Sequence, residues 1–268
     1  MLMKRAKNPV GAVETTIQII EALESFDGGT VTELAEALDV SKATVHNHLM
    51  TLQEHQYVTN QDGEYMLSFK FLVIGEYLRN NNILYENAKT EVDRLAEETG
   101  EYAHLSTEQH GLSQKLHKVQ GENAVGSKYQ RAKLQKPDCL HYTATGKVIL
   151  AHLPDYRIEE IIDYYGLPER TKHTITNRDE LFETLERIRD RGFAFNDEEE
   201  VERMRAVGAP ICDSRGTILG AVSVSGPISR MKDEQFRTII PEKVVNTATV
   251  IEMNINMAER RGNMPNYV

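Results

Sequence analysis

The 268-residue chain reads as α+β: a winged helix-turn-helix at the N-terminus, a connecting helix, and a larger α/β domain behind it. Three observations lead there. Two short amphipathic periodicities are separated by a break at Asp39-Val40, an alternating apolar run follows an Asp-Gly turn, and from Glu101 onward strand and helix patterns interleave without a strict βαβ repeat.

Val13, Ile17, Ile20 and Leu23 recur at helical spacing and predict a first helix that stops at Asp27-Gly28-Gly29. Val31, Leu34, Ala35 and Leu38 predict a second, with Thr30 and Glu33 spaced as a capping box and Thr32 competing for the cap. Ser41 stands at the N-cap of a third helix, in which Val45, Leu49 and Leu52 repeat along one face. A turn of about 100° per residue then carries Ala43, Thr44, Asn47 and Thr51 to the opposite side, beside Lys42. With Thr32 and Ser41 at the two helix starts, these form the set expected to meet double-stranded DNA in the major groove. His46 and His48 flank that face, where a lone histidine more often packs than reads bases. The segment YVTNQDGEYMLSFKF turns at Asp62-Gly63 and alternates Tyr65, Leu67 and Phe69, as the hairpin of a wing does.

Charge argues in the other direction. Residues 1–70 carry five basic side chains (Lys4, Arg5, Lys7, Lys42, Lys70) against ten acidic ones, and the whole chain is −10. Phosphate attraction is expected to be weak, and a salt-rich cytoplasm, such as that of a halophilic archaeon, would reconcile an acidic surface with DNA binding.

The remaining organisation is expected to be a basic arm at 1–12, the winged helix at 13–69, a linker helix at 70–82, the α/β domain at 83–260 and a tail at 261–268. Within the large domain YAHLST, SQKLHKV, FAF, VGAPI and TILGAVSVSG read as strands. TATGKVILAHL and ELFETLERIRDRG read as helices, and the closing helical segment contains Pro241, which either kinks or divides it. Cys139 and Cys212 lie far apart without a C-x-x-C, which suits a cytoplasmic protein, and no apolar run of 18 residues suggests a membrane span.

Several chemistries fail on spacing. Gly146-Lys147 lacks the rest of a phosphate-binding loop, and no G-x-G-x-x-G occurs. His104, His110, His117, Cys139, His141 and Cys212 show no tight ligand spacing, so no metal or other cofactor is expected, although a metal- or redox-responsive winged-helix sensor stays as the alternative. An enzyme using Ser223 or Ser225 as nucleophile lacks a nucleophile elbow or a carboxylate pair. A pocket reads better. In the strand at 217–225 a period of two sends Leu219, Ala221, Ser223 and Ser225 to one face and Ile218, Val222 and Val224 to the other. A helix beginning near Thr143 would add free N–H groups and a positive dipole end for a small polar metabolite. Serines merely packed against a helix, with their hydroxyls satisfied by backbone, fit the same spacing.

At these residues the chain resembles the IclR family of transcriptional regulators. The helix-turn-helix at 30–55, LHYTATGKVILAHL, and GFAFNDEEEVERMRAVGAPICDSRGTILGAVSVSGP follow one another in family order. The resemblance implies an N-terminal winged helix, a linker helix that helps dimerise, and a GAF-like C-terminal domain that binds a small effector. It also implies homodimers, or tetramers made as dimers of dimers, on palindromic operators, repressing or activating operons that are often catabolic. Carried over by motif position, the effector pocket would be lined by Ala144, Thr145 and Gly146, by Asp197 or its neighbour Asn196, by Ala206, and by Ser223 with Ser225. Ala206 stands where some members carry cysteine, which removes a thiol contact. Asn47 stands where arginine is common, which shifts recognition towards an Asn–adenine pair.

Overall fold

The computed structural model describes residues 6–124, 137–260 and 262. The expected tail at 261–268 lies outside these apart from Gly262, as do the first five residues of the expected arm. Two compact units meet in the sequence between Arg79 and Asn80.

In the first unit, α1 (Gly11–Phe26), α2 (Val31–Leu38) and α3 (Lys42–Glu54) precede a hairpin of β2 (Val58–Gln61) and β3 (Glu64–Leu67). A short β1 (Gly29–Thr30), which no local pattern announces, pairs with β3 and closes a three-stranded sheet. Helix α2 starts as its sequence requires: Thr30 accepts from the Glu33 amide while the Glu33 carboxylate accepts from the Thr30 amide at 2.8 Å. The core joins Ile19, Leu23, Leu34, Val45, Leu49, Val58 and Tyr65. One sequence expectation shifts here. Helix α1 offers Ile19, Ala22 and Leu23 to that core, while Val13 and Ile17 remain 54% and 50% exposed, because the core reaches only the C-terminal half of the helix.

Helix α4 (Lys70–Asn80) follows the wing and is seated by its first turn. Phe71 meets Tyr57 edge-on at 5.3 Å, and Lys70 lies 4.3 Å from the Tyr57 ring centre while donating to the His55 carbonyl. None of its residues is buried.

The second unit is a three-layer α/β/α arrangement around a six-stranded antiparallel sheet. Its strands are β4 (Tyr102–Gln109), β5 (Leu112–Gln120), β6 (Asp138–Cys139), β7 (Ala194–Asp197), β8 (Met204–Cys212) and β9 (Ile218–Pro227), in the order β6-β5-β4-β9-β8-β7. On one face α5 (Ile83–Thr99) and α9 (Ile240–Arg260) pack Val92, Leu95, Val244 and Ile251 against Leu105, Val207, Val222 and Val224. On the other lie α6 (Ala144–His152), α7 (Asp155–Tyr165) and α8 (Arg178–Arg191), with Val148, Ile158, Leu181 and Leu185 above Ala194 and Ala221. The closing helical run is continuous from Asp233, and its α-helical pattern is interrupted just ahead of Pro241: a π-helical turn at Gln235–Ile239 separates its start from α9, in which Pro241 is the second residue.

Candidate functional site

The first unit builds one continuous exposed face. Ser41 accepts from the Thr44 amide at 3.0 Å and its hydroxyl lies 2.8 Å from that of Thr44, so the start of α3 is fixed by its own side chains. With Val45, Leu49 and Leu52 buried, Lys42, Ala43, Asn47 and Thr51 are exposed together, joined by His46 and Met50. Thr44 is half-buried, as is Thr32 in the first turn of α2. The Thr51 hydroxyl donates back to the Asn47 carbonyl at 2.9 Å. The Asn47 side-chain amide has no hydrogen bond among the described residues, so its donor–acceptor pair is available to a base edge. His48 packs: its Nδ1 lies 2.8 Å from Thr16 Oγ1 of α1.

In the second unit, antiparallel register assembles a polar floor from residues distant in sequence. Asn196, Ala206, Ser225 and Tyr102 stand opposite one another across four strands, and Ala194, Gly208, Ser223 and His104 form the adjacent row. Because Val222 and Val224 face α5 and α9, Ser223 and Ser225 face α6. Helix α6 comes very close. A Cβ placed on Gly208 would meet the Ala144 carbonyl carbon at 2.9 Å, so only glycine lets the first turn of α6 settle on β8. The Thr143 hydroxyl caps the Gly146 amide at 2.9 Å and the Thr143 carbonyl takes the Lys147 amide, leaving the amides of Ala144 and Thr145 as the donors of the helix start.

The expected pocket residues separate here. Ala144, Thr145, Asn196, Ala206, Ser223 and Ser225 converge on this face. Gly146 does not open onto it, since a Cβ there would lie 2.2 Å from the Leu140 carbonyl oxygen. Asp197 points to the other side of the sheet, where Arg205 grips it at 2.7 and 3.1 Å. Strand alternation therefore selects Asn196 from that pair. Its amide donates to the Tyr142 carbonyl at 2.8 Å and accepts from the Glu199 amide at 3.0 Å, so much of its bonding capacity serves the protein itself.

The sequence does not place three polar residues on this face, and His104 reads from it only as a candidate metal ligand. His104 Nε2 lies 2.9 Å from Ser225 Oγ, Lys118 sits 4.7 Å from the centre of the Tyr102 ring, and the Ser106 hydroxyl is buried without a hydrogen-bond partner among the described residues. Burial, reinforced by the charge of Lys115, holds the Lys118 ammonium down to about 8. The alternation of YAHLST carried the signal for His104 and Ser106, but only the pairing of β4 with β9 reveals their shared face.

Lys147, read from sequence as a failed phosphate loop, is fully buried and paired with Glu199. Burial presses its ammonium towards neutrality, and the adjoining carboxylate opposes this. Both thiols are half-buried and raised by burial, Cys212 to about 11, which makes them poor redox nucleophiles. Among the described residues no three of His, Cys, Asp and Glu group as a metal site, and no helix is long and apolar enough to cross a membrane.

The two units coincide with two recognised sequence regions. Residues 12–62 match the "IclR helix-turn-helix domain", and residues 75–253 match "Bacterial transcriptional regulator IclR C-terminal". The chain belongs to the IclR family of transcriptional regulators. It is 36% identical over 250 residues to the "Probable HTH-type transcriptional regulator ArcR" of Halobacterium salinarum, an alignment covering 93% of this chain and 95% of that protein. The IclR of Thermotoga maritima superposes with a TM-score of 0.71 at 26% identity, covering 92% of this chain and 97% of its own. An IclR homolog from Microbacterium hydrocarbonoxydans, complexed with 4-hydroxybenzoate, shares the fold with a TM-score of 0.79 at 17% identity, covering 92% and 99%. IclR regulators bind DNA through the helix-turn-helix and small effectors through the C-terminal domain, and they are not enzymes.

Proposed function

We propose that this chain is a ligand-responsive regulator of a catabolic operon, binding a palindromic operator as a homodimer, or as a dimer of dimers, and changing its operator affinity when a small anionic metabolite occupies the pocket beneath α6. The observation that carries the reading is the polar floor of Ser223, Ser225 and His104 under the helix start at Ala144, where two amides and a dipole end favour negative charge. The buried, unpartnered hydroxyl of Ser106 beside that floor suits a site that a ligand completes. The 4-hydroxybenzoate held by the Microbacterium homolog is a carboxylate, which agrees with that choice of charge.

Dimerisation rests on a separate feature. Helix α4 leaves Leu72, Val73, Tyr77 and Leu78 between 57% and 67% exposed, with Phe69 at 87%, and α1 adds Val13 and Ile17. Exposed apolar side chains on the same unit as the helix-turn-helix suit burial against a second copy, which would set the half-site spacing. Any ligand effect then requires unequal affinity for the DNA-competent and DNA-incompetent arrangements of the dimer. The test is genome-wide mapping of bound sites, with expression compared between deletion and parent strains. Binding at symmetric sequences upstream of catabolic genes supports the reading, and binding without sequence preference overturns it.

A further inference from the structure

A cleft of about 460 Å³ opens at the edge strand β7, between the loop that follows it and the solvent side of α8. Its floor is neutralised internally. Lys147 pairs with Glu199, and Arg205 pairs with Asp197 while also donating to the Met231 carbonyl at 2.9 Å.

The wall made by α8 is different. Arg187 and Arg191 stand one turn apart, and neither forms an ion pair among the described residues. Arg187 donates to Thr184 Oγ1 at 2.8 Å, and Arg191 donates to the Phe193 carbonyl at 2.5 Å. The Arg191 guanidinium is also held 5.3 and 4.8 Å from the ring centres of Phe193 and Phe195. Burial and the charge of Arg187 push its pKa down, and the Glu199 carboxylate, itself paired with Lys147, opposes this. No carboxylate of the cleft forms an ion pair with either guanidinium among the described residues. Glu180 lies two turns earlier on α8, and Glu198 accepts from the Arg203 amide at 2.7 Å. A chain of net −10 thus carries two guanidiniums one turn apart on a cleft wall, outside any ion pair among the described residues.

We infer that Arg187 and Arg191 form an oxyanion site for a phosphate-bearing small metabolite, separate from the pocket beneath α6. Two adjacent planar forks suit a tetrahedral dianion, which can accept from both at once, better than a single carboxylate, which neutralises one. Cleft and pocket share an element. Lys147 reaches the cleft from the helix whose first turn roofs the pocket, and Glu199 is bonded to Asn196 on the pocket side.

The test is calorimetric titration of the full chain with sodium phosphate against sodium chloride at equal ionic strength. Saturable phosphate binding is expected, weakened at least about tenfold in R187A/R191A and unchanged in R178A, which removes an exposed arginine paired elsewhere with Asp163. A second variant, R187K/R191K, keeps the charge and loses the forks, and is expected to weaken binding several-fold. The inference is overturned by phosphate heats no larger than those of chloride, or by parental affinity in either double variant, which would mean an adventitious ion only.

Discussion

The Thr16 hydroxyl donates to the Ala12 carbonyl at 2.8 Å, so the imidazole of His48, 2.8 Å away through Nδ1, must donate to Thr16 Oγ1. This fixes the histidine tautomer and ties the recognition helix to α1 beside a cavity of about 430 Å³ lined by Val13, Asn47, Thr51 and Tyr57. Thr16→Val keeps the shape and removes the acceptor. It is expected to destabilise the N-terminal unit by about 1 kcal/mol, read as a shift of its urea midpoint. An unchanged midpoint would show that the pairing contributes nothing to holding α3.

Asn47 is the exposed amide at the centre of the recognition face. If it pairs with the edge of an adenine, Asn47→Ala loses about 1–3 kcal/mol of specific operator binding and almost none of nonspecific binding. Parallel titrations of operator and scrambled duplex measure both, and parental operator affinity in the variant removes Asn47 from base readout.

Salt dependence follows from the balance of −5 over residues 1–70, with Lys42 the one basic residue of α3. A basic winged helix making about six or more phosphate contacts loses on the order of a thousandfold in affinity between 50 and 200 mM salt. This chain is expected to show a distinctly shallower slope of log K against log salt. A steep slope would mean that Lys4, Arg5 and Lys7 outweigh the average.

What the sequence could reveal was decided by the range of each signal. Helix starts were legible because Thr30 with Glu33, and Ser41 with Thr44, settle their caps within four residues. The shared face of Ser223 and Ser225 was legible because alternation in a strand is local. The buried side of α1 was not, since Val13-Ile17 and Ile19-Leu23 are both helical stripes and only the reach of α2 and β3 chooses between them. Long-range pairing hid the rest. His104 meets Ser225 across 121 positions, Lys147 meets Glu199 across 52, and Asn196 rather than Asp197 faces α6 because of the register of β7 on β8.

His141 couples stability to pH. Buried just before α6, its Nε2–H donates to the Pro168 carbonyl at 3.1 Å, and burial holds its pKa down to about 4 from 6.5, with the charge of Lys147 adding to the effect. The native state keeps the imidazole neutral while the unfolded chain protonates it near 6.5. Its stabilising contribution is therefore complete above that value and is lost as pH falls towards 4, by at most about 3 kcal/mol. Urea midpoints at pH 7 and pH 4.5 are expected to draw closer in His141→Gln than in the parent. An identical pH response in both proteins would assign the acid sensitivity to other groups.

The central claim is that the pocket beneath α6 controls operator binding. Its most direct measurement is the affinity for a mapped operator duplex, with and without the substrate of the enzymes that the operon encodes, for the parent and for Ser223→Leu. Leucine at this buried position fills the polar floor. The parent is expected to change its operator affinity by about tenfold or more on adding that substrate, and Ser223→Leu, folded by circular dichroism, is expected not to respond. A folded Ser223→Leu that responds with the parental midpoint would contradict the placement of the effector.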